Sequence, residues 1–128
     1  MTYHISKMVD SGFAETVDVV KCRLAEQGFG ILSEIDVSRK LHEKLGVNFR
    51  NYLILGACNP PYAFQALQAE PHIGTMLPCN VVVQEWDDGK VEVSAIDPKA
   101  SMMAVNNPDL EKTAAAIQEK LRSVIESL

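Results

Sequence analysis

From Phe13 onward apolar side chains return at Val17, Val20 and Leu24, the i, i+4, i+7, i+11 spacing of a helix with one buried stripe. Ser11 stands ahead of that run as a cap, and Gly28 supplies the left-handed residue that stops it. The stretch before it, Thr2 to Val9, alternates instead: Tyr3, Ile5 and Val9 fall on one side and His4, Ser6 and Met8 on the other. That predicts a first strand with one face on a core, interrupted by Lys7. Ile31 to Val37 predicts a second strand, and "SRKLHEKLG" a short helix in which Val37, Leu41 and Leu45 fall four apart before Gly46. In "FRNYLILGAC" Leu53, Ile54 and Leu55 are consecutive, so both faces are apolar and the strand is expected at the middle of the sheet. "NVVVQEW" and "KVEVSAI" predict two more strands, joined at Asp88-Gly89, a pair suited to two positive φ values in a tight hairpin. Asn107 and Pro108 then open a last helix that buries Leu110, Ala114, Ile117, Leu121, Ile125 and Leu128.

The order strand, helix, four strands, helix, with short helical inserts, predicts an α+β fold: a single antiparallel sheet with two long helices on one face. At 128 residues, 47% apolar and 23% charged, the chain suits one domain spanning residues 1–128. Its net charge of -5 comes from interspersed side chains without a basic cluster, so no nucleic acid partner is expected. Asp10, Glu15 and Asp18 break the N-terminal stretch where a signal peptide needs apolar continuity, and no later run is long enough to span a bilayer. No membrane association and a cytoplasmic location are therefore expected. Three cysteines in a spacing that matches no CxxC or zinc-finger pattern fit a reducing compartment better than a disulfide framework.

Two of those cysteines stand in similar places. Cys58-Asn59 and Cys79-Asn80 each lie at the boundary between an apolar run and a proline. If the strand ending at Cys58 pairs antiparallel with the strand that begins near Asn80, both steps meet at one edge of the sheet. Between them Asn59 can cap and Pro60 can start a short helix carrying Tyr62, Ala63, Phe64 and Leu67, followed by a loop with Glu70, Pro71, His72, Gly74 and Pro78. A thiol before a helix N-terminus can be acidified, but Pro60 and Pro61 lack the N–H groups that would do it. His72 is the one histidine in the segment, and nothing in the spacing supplies a carboxylate to orient it, so catalysis is not expected. Cys22, about 180° around its helix from Phe13, points to solvent.

Three readings of the segment stay open. The cysteines can be small packed side chains in a structural or interaction module, for example a homodimer. They can border a small-molecule or cofactor pocket lined by Tyr62, Phe64, Met76 and Leu77, with Cys58, Asn59, His72, Cys79 and Asn80 as its polar points. Or Cys58 and Cys79, with His72, can serve thiol redox, metal or haem chemistry. The pocket reading is preferred, with no cofactor specified. Elsewhere, Gly28-Phe29-Gly30 precedes a strand and is a helix stop, not a dinucleotide fingerprint. Met102-Met103, in a loop-like stretch, is expected to make core or partner contacts, His4 and His42 to be solvated, and Glu34, Asp36 and Glu70 to form no acid/base pair.

Five ordered segments, "GFGILSEIDV", "HEKLG", "YLILGACNP", "ALQAEPHIG" and "LPCNVVV", resemble the family catalogued as domain of unknown function 302 over nearly the whole chain. The resemblance implies a TBP-like fold. It matches at Gly56 to Pro60, at Glu70, Pro71, Ile73 and Gly74, and at Leu77 to Asn80, the same cysteine-bounded segment. It implies no activity, and TBP-like names a shape only.

Overall fold

The computed structural model describes residues 2–128. Its strands are β1 (His4–Val9), β2 (Gly30–Asp36), β3 (Tyr52–Cys58), β4 (Cys79–Glu85) and β5 (Val91–Ile96). They form one antiparallel sheet in the order β1-β5-β4-β3-β2. Its α-helices are α1 (Phe13–Glu26), α2 (Val37–Leu45), α3 (Pro60–Ala69), α4 (Pro98–Met102) and α5 (Glu111–Glu126), with short 3-10 turns at Pro71–Met76 and Pro108–Leu110. The α+β fold with two long helices on one antiparallel sheet is thus observed, and β4 occupies the centre. β3 is interior but off-centre, flanked by the edge strand β2: Leu53 and Leu55 face the helices, while Ile54 sits on the other face, in register with Ile35 and Val82.

The main core is the contact between α1, α5 and the covered face of the sheet. Val17, Val20 and Leu24 of α1 meet Ile117, Leu121, Val124 and Ile125 of α5 above Leu55, Val81, Val83, Val91, Val93 and Ala95. Each such side chain taken fully from water contributes roughly 1.5–3 kcal/mol, which is why the periodic stripes dictate the layers. Lys7, on the core-facing side of β1, does not break the layer. Its ammonium donates to the carbonyl oxygens of Glu126 and Leu128, where the C-terminal end of α5 favours a cation.

Several local expectations are corrected. Gly12, not Ser11, is the N-cap of α1; no side chain caps it, and Thr16 Oγ1 donates back to the Gly12 carbonyl at 2.7 Å. β1 starts at His4, so Tyr3 lies beyond the paired strand, exposed and stacked edge-on against the His4 ring. Asp36, at the end of β2, caps α2 by accepting from the Arg39 amide at 3.0 Å. None of the α2 stripe is fully buried, and Leu45 is largely exposed. In the β4–β5 hairpin only Gly89 takes positive φ, 84°, because the Gly89 amide bonds to the Trp86 carbonyl at 2.8 Å in a longer turn closed by Trp86 and Lys90.

Gly56 on β3 marks the closest approach in the sheet. A Cβ there would run into Ser33 Oγ on β2 and would lie 2.8 Å from Pro78 Cγ, so glycine is what lets the chain entering β4 lie against β3. Gly56→Ala is expected to destabilise the fold by about 1–3 kcal/mol in urea denaturation, and Ser33→Gly to restore part of the loss. A Gly56→Ala protein as stable as the parent would show that this approach is not tight.

Candidate functional site

The pairing of β3 with β4 places Ala57 opposite Cys79, with Cys58 one residue beyond at the strand end. The two cysteine-bearing strand ends therefore share one locus, as the antiparallel arrangement requires. The chain leaves at Asn59 through α3 and the turn at Pro71–Met76 and returns through Leu77-Pro78. Asn59 occupies the N-cap position of α3 in extended conformation, but its side chain makes no capping bond. Its Nδ2 donates instead to the Gln27 carbonyl at 3.1 Å, tying the start of α3 to the end of α1. Gly28, at φ 87°, passes close beside that amide, which is a second reason for glycine at the helix stop.

Within residues 59–78 Tyr62 packs against the main core. Ala66 and Ile73 join Leu110 in a second buried cluster, bordered by Ala69, Leu77, Met102 and Val105. The seam between the two clusters is a half-open cleft of about 320 Å³. The sheet side contributes Phe29, Leu32, Ala57, Cys58 and Cys79; α3 contributes Tyr62, Ala63, Ala66 and Leu67. Leu77, Pro78 and Met102 close one end, and Thr113 and Ile117 of α5 form the far wall. Among the described residues no charged side chain lines it. A larger depression of about 670 Å³ lies beside α4 and the start of α5, sharing only Met102 and Leu110 with these clusters and bordered by Lys99, Glu111 and Lys112.

Of the residues expected at the site, Cys58, Asn59, Tyr62, Leu77 and Cys79 meet in the cleft. Phe64 does not: it is on the outer side of α3 and 64% exposed. Met76 is exposed at the end of its turn. His72 projects to solvent with 91% of its side chain exposed, its Nδ1 3.6 Å from Glu70 Oε2. Asn80 belongs to the opposite sheet face, beside His4, Tyr52 and Ser94, because successive strand residues alternate sides. His72 is thereby removed as a partner of the two cysteines, and among the described residues no three His, Cys, Asp or Glu side chains converge as a metal site.

The thiols are free, Cys58 and Cys79 half-buried and Cys22 exposed as expected. Burial pushes the Cys79 thiol up to about 11, with a smaller contribution from Cys58 close by. At neutral pH Cys79 is a neutral, weakly polar wall element, not a nucleophile. The carboxylates have other tasks: Glu34 pairs with Lys21 at 2.8 Å, Asp36 caps α2, and Glu70 lies 3.5 Å from the Asn107 amide.

Sequence reasoning missed Phe29, Leu32, Met102, Thr113 and Ile117 as wall residues. Ile117 was legible as a core position, but only the packing of α3 against α5 shows that part of its surface faces the seam. Leu32 sits at the register shift between Ile31 and Ser33, a bulge that alternation alone does not reveal. Met102 comes from α4, a helix where a loop was expected, begun by Asp97 Oδ1 accepting from the Lys99 amide at 3.0 Å.

A family model described as Domain of unknown function DUF302 matches residues 5–128. The fold is similar to the crystal structure of an uncharacterized conserved DUF302 protein from Bacillus stearothermophilus, with a TM-score of 0.91 and 31% sequence identity, covering 98% of this chain and 98% of that chain. No curated protein matches the chain. Among the described residues no helix is long and apolar enough to cross a membrane.

Cys79 holds its proton more tightly folded than unfolded. Its contribution to stability is complete below the ordinary thiol value of 9.0 and is lost as pH rises through about 11. Between those values the urea midpoint of the native protein is expected to fall more steeply than that of Cys79→Ala. Equal slopes would place the thiol in water. In native thiol titration at pH 7.5 Cys22 should react first and Cys79 last.

Proposed function

The chain belongs to the DUF302 family, and we propose that within this fold it serves as a small-molecule-binding module whose ligand sits in the cleft between α3, α5 and the sheet end at Cys58 and Cys79. The observation that carries the reading is the cleft itself: about 320 Å³, at the lower end of the roughly 300–1,000 Å³ typical of ligand sites, with an uncharged and mostly apolar wall. A purely structural role for residues 59–78 would be served by letting Ala66, Ile73 and Leu110 pack directly on the main core. Instead two clusters stand apart, with half-buried thiols and a tyrosine facing the gap.

Binding without catalysis fits the chemistry of the wall. Cys79 is protonated at neutral pH, and neither an imidazole nor a carboxylate lines the cleft to act as a base. A soluble, cytoplasmic module that releases its ligand unchanged is the simplest use of such a site. Nothing in the wall calls for a second copy of the chain to complete it.

The neutral dye N-phenyl-1-naphthylamine tests the reading. Its fluorescence should rise saturably with the native protein, and Ala63→Trp, which fills the mouth from a half-buried position, should weaken binding by about tenfold or more. Equal enhancement by both proteins would put the dye elsewhere and remove the support for this cleft.

A further inference from the structure

Resting on that reading, we infer that the cleft selects an uncharged, mainly apolar molecule bearing a hydroxyl group, a phenol or an alicyclic alcohol, recognised by Asn59 and Thr113. Both residues are more than nine-tenths buried, at 7% and 8% exposure, and both line the cleft. Asn59 gives one of its two amide N–H groups to the Gln27 carbonyl, and among the described residues its Oδ1 accepts from no donor. Among the described residues Thr113 Oγ1 donates to no carbonyl and accepts from no donor, unlike Thr16, whose hydroxyl is bonded to the Gly12 carbonyl. Two buried polar side chains thus line a shared apolar space with hydrogen-bonding capacity unused.

The missing partners define the ligand. An amide oxygen of asparagine only accepts, and a threonine hydroxyl both donates and accepts. A hydroxyl on the ligand donates its one proton to the first and accepts from the second. A carboxylate would bring an acceptor to Asn59 Oδ1 and would shed its water in a wall without a cation, while an ammonium would find no carboxylate there. An unsubstituted hydrocarbon would fill the space but leave both oxygens unpaired, forfeiting the hydrogen bonds that distinguish this cleft from a plain void. Cys58 and Cys79 supply soft apolar surface suited to the ring.

The experiment compares p-cresol, toluene and p-toluate by amide chemical-shift titration of the native protein and of Thr113→Val, a near-isosteric change that exchanges the hydroxyl for a methyl. The expected result is that p-cresol binds about tenfold more tightly than toluene, that p-toluate binds weakest, and that Thr113→Val reduces the cresol-to-toluene preference by about threefold. If toluene and p-cresol shift the amides of Ala57, Tyr62 and Ile117 with equal affinity, the hydroxyl inference is overturned while the binding cleft stands. If p-toluate binds tightest, or Thr113→Val leaves the preference untouched, the assignment is likewise overturned. If none of the three moves those amides, the cleft reading fails together with the inference.

Discussion

Ala57 facing Cys79 across the β3–β4 pair is the contact on which the rest depends. A short hairpin at that point would leave a plain sheet edge. Here residues 59–78 leave β3 and re-enter β4 through nearly the same place, and while Tyr62 still packs on the main core, Ala66 and Ile73 do not join it. They bury against Leu110 and Met102 instead, forming a second cluster. The cleft is the seam that results when two apolar clusters share a wall and do not close on one another. Gly56, pressed between Ser33 and Pro78, keeps that return path against the sheet.

Close packing elsewhere makes the seam informative. Leu24, Leu55, Val81, Val83, Val93 and Leu121 are fully buried, so α1 and α5 hold the sheet to the density expected of a protein interior. An apolar space of this size beside such a core is costly when it holds water, because its wall gains neither dispersion contacts nor hydrogen bonds. Its polar points are few and specific: an asparagine with one amide N–H on the Gln27 carbonyl, a threonine whose hydroxyl has no partner among the described residues, and two cysteines of which Cys79 stays protonated. Such a wall recognises shape and one or two hydrogen bonds, not charge.

Most of the architecture was legible in the residues, since periodic stripes at Val17, Val20, Leu24 and at Ile117, Leu121, Ile125 can bury only against a sheet face. The convergence of Cys58 and Cys79 followed from antiparallel pairing. What escaped depends on rotation and register about short elements. Phe64 and Tyr62 are two residues apart on α3 and so lie on different sides of it, and periodicity over ten residues does not say which side meets α5. His72 turns outward because the 3-10 turn buries its neighbour Ile73, and Met76 is exposed at the end of that turn. Asn80 was assigned by proximity in sequence to Cys79, where the pleat sends it to the other face. Thr113 was invisible because a lone threonine beside an apolar helical stripe carries no signal of its own.

A crystal structure of the protein soaked in phenol addresses the seam most directly. Ordered phenol bounded by Ala57, Tyr62, Ala66, Leu77 and Ile117, with the two clusters unmoved, is the predicted result. Side chains of Leu77 and Met102 closed across an empty space, or phenol bound only elsewhere on the surface, would contradict the existence of a ligand cleft.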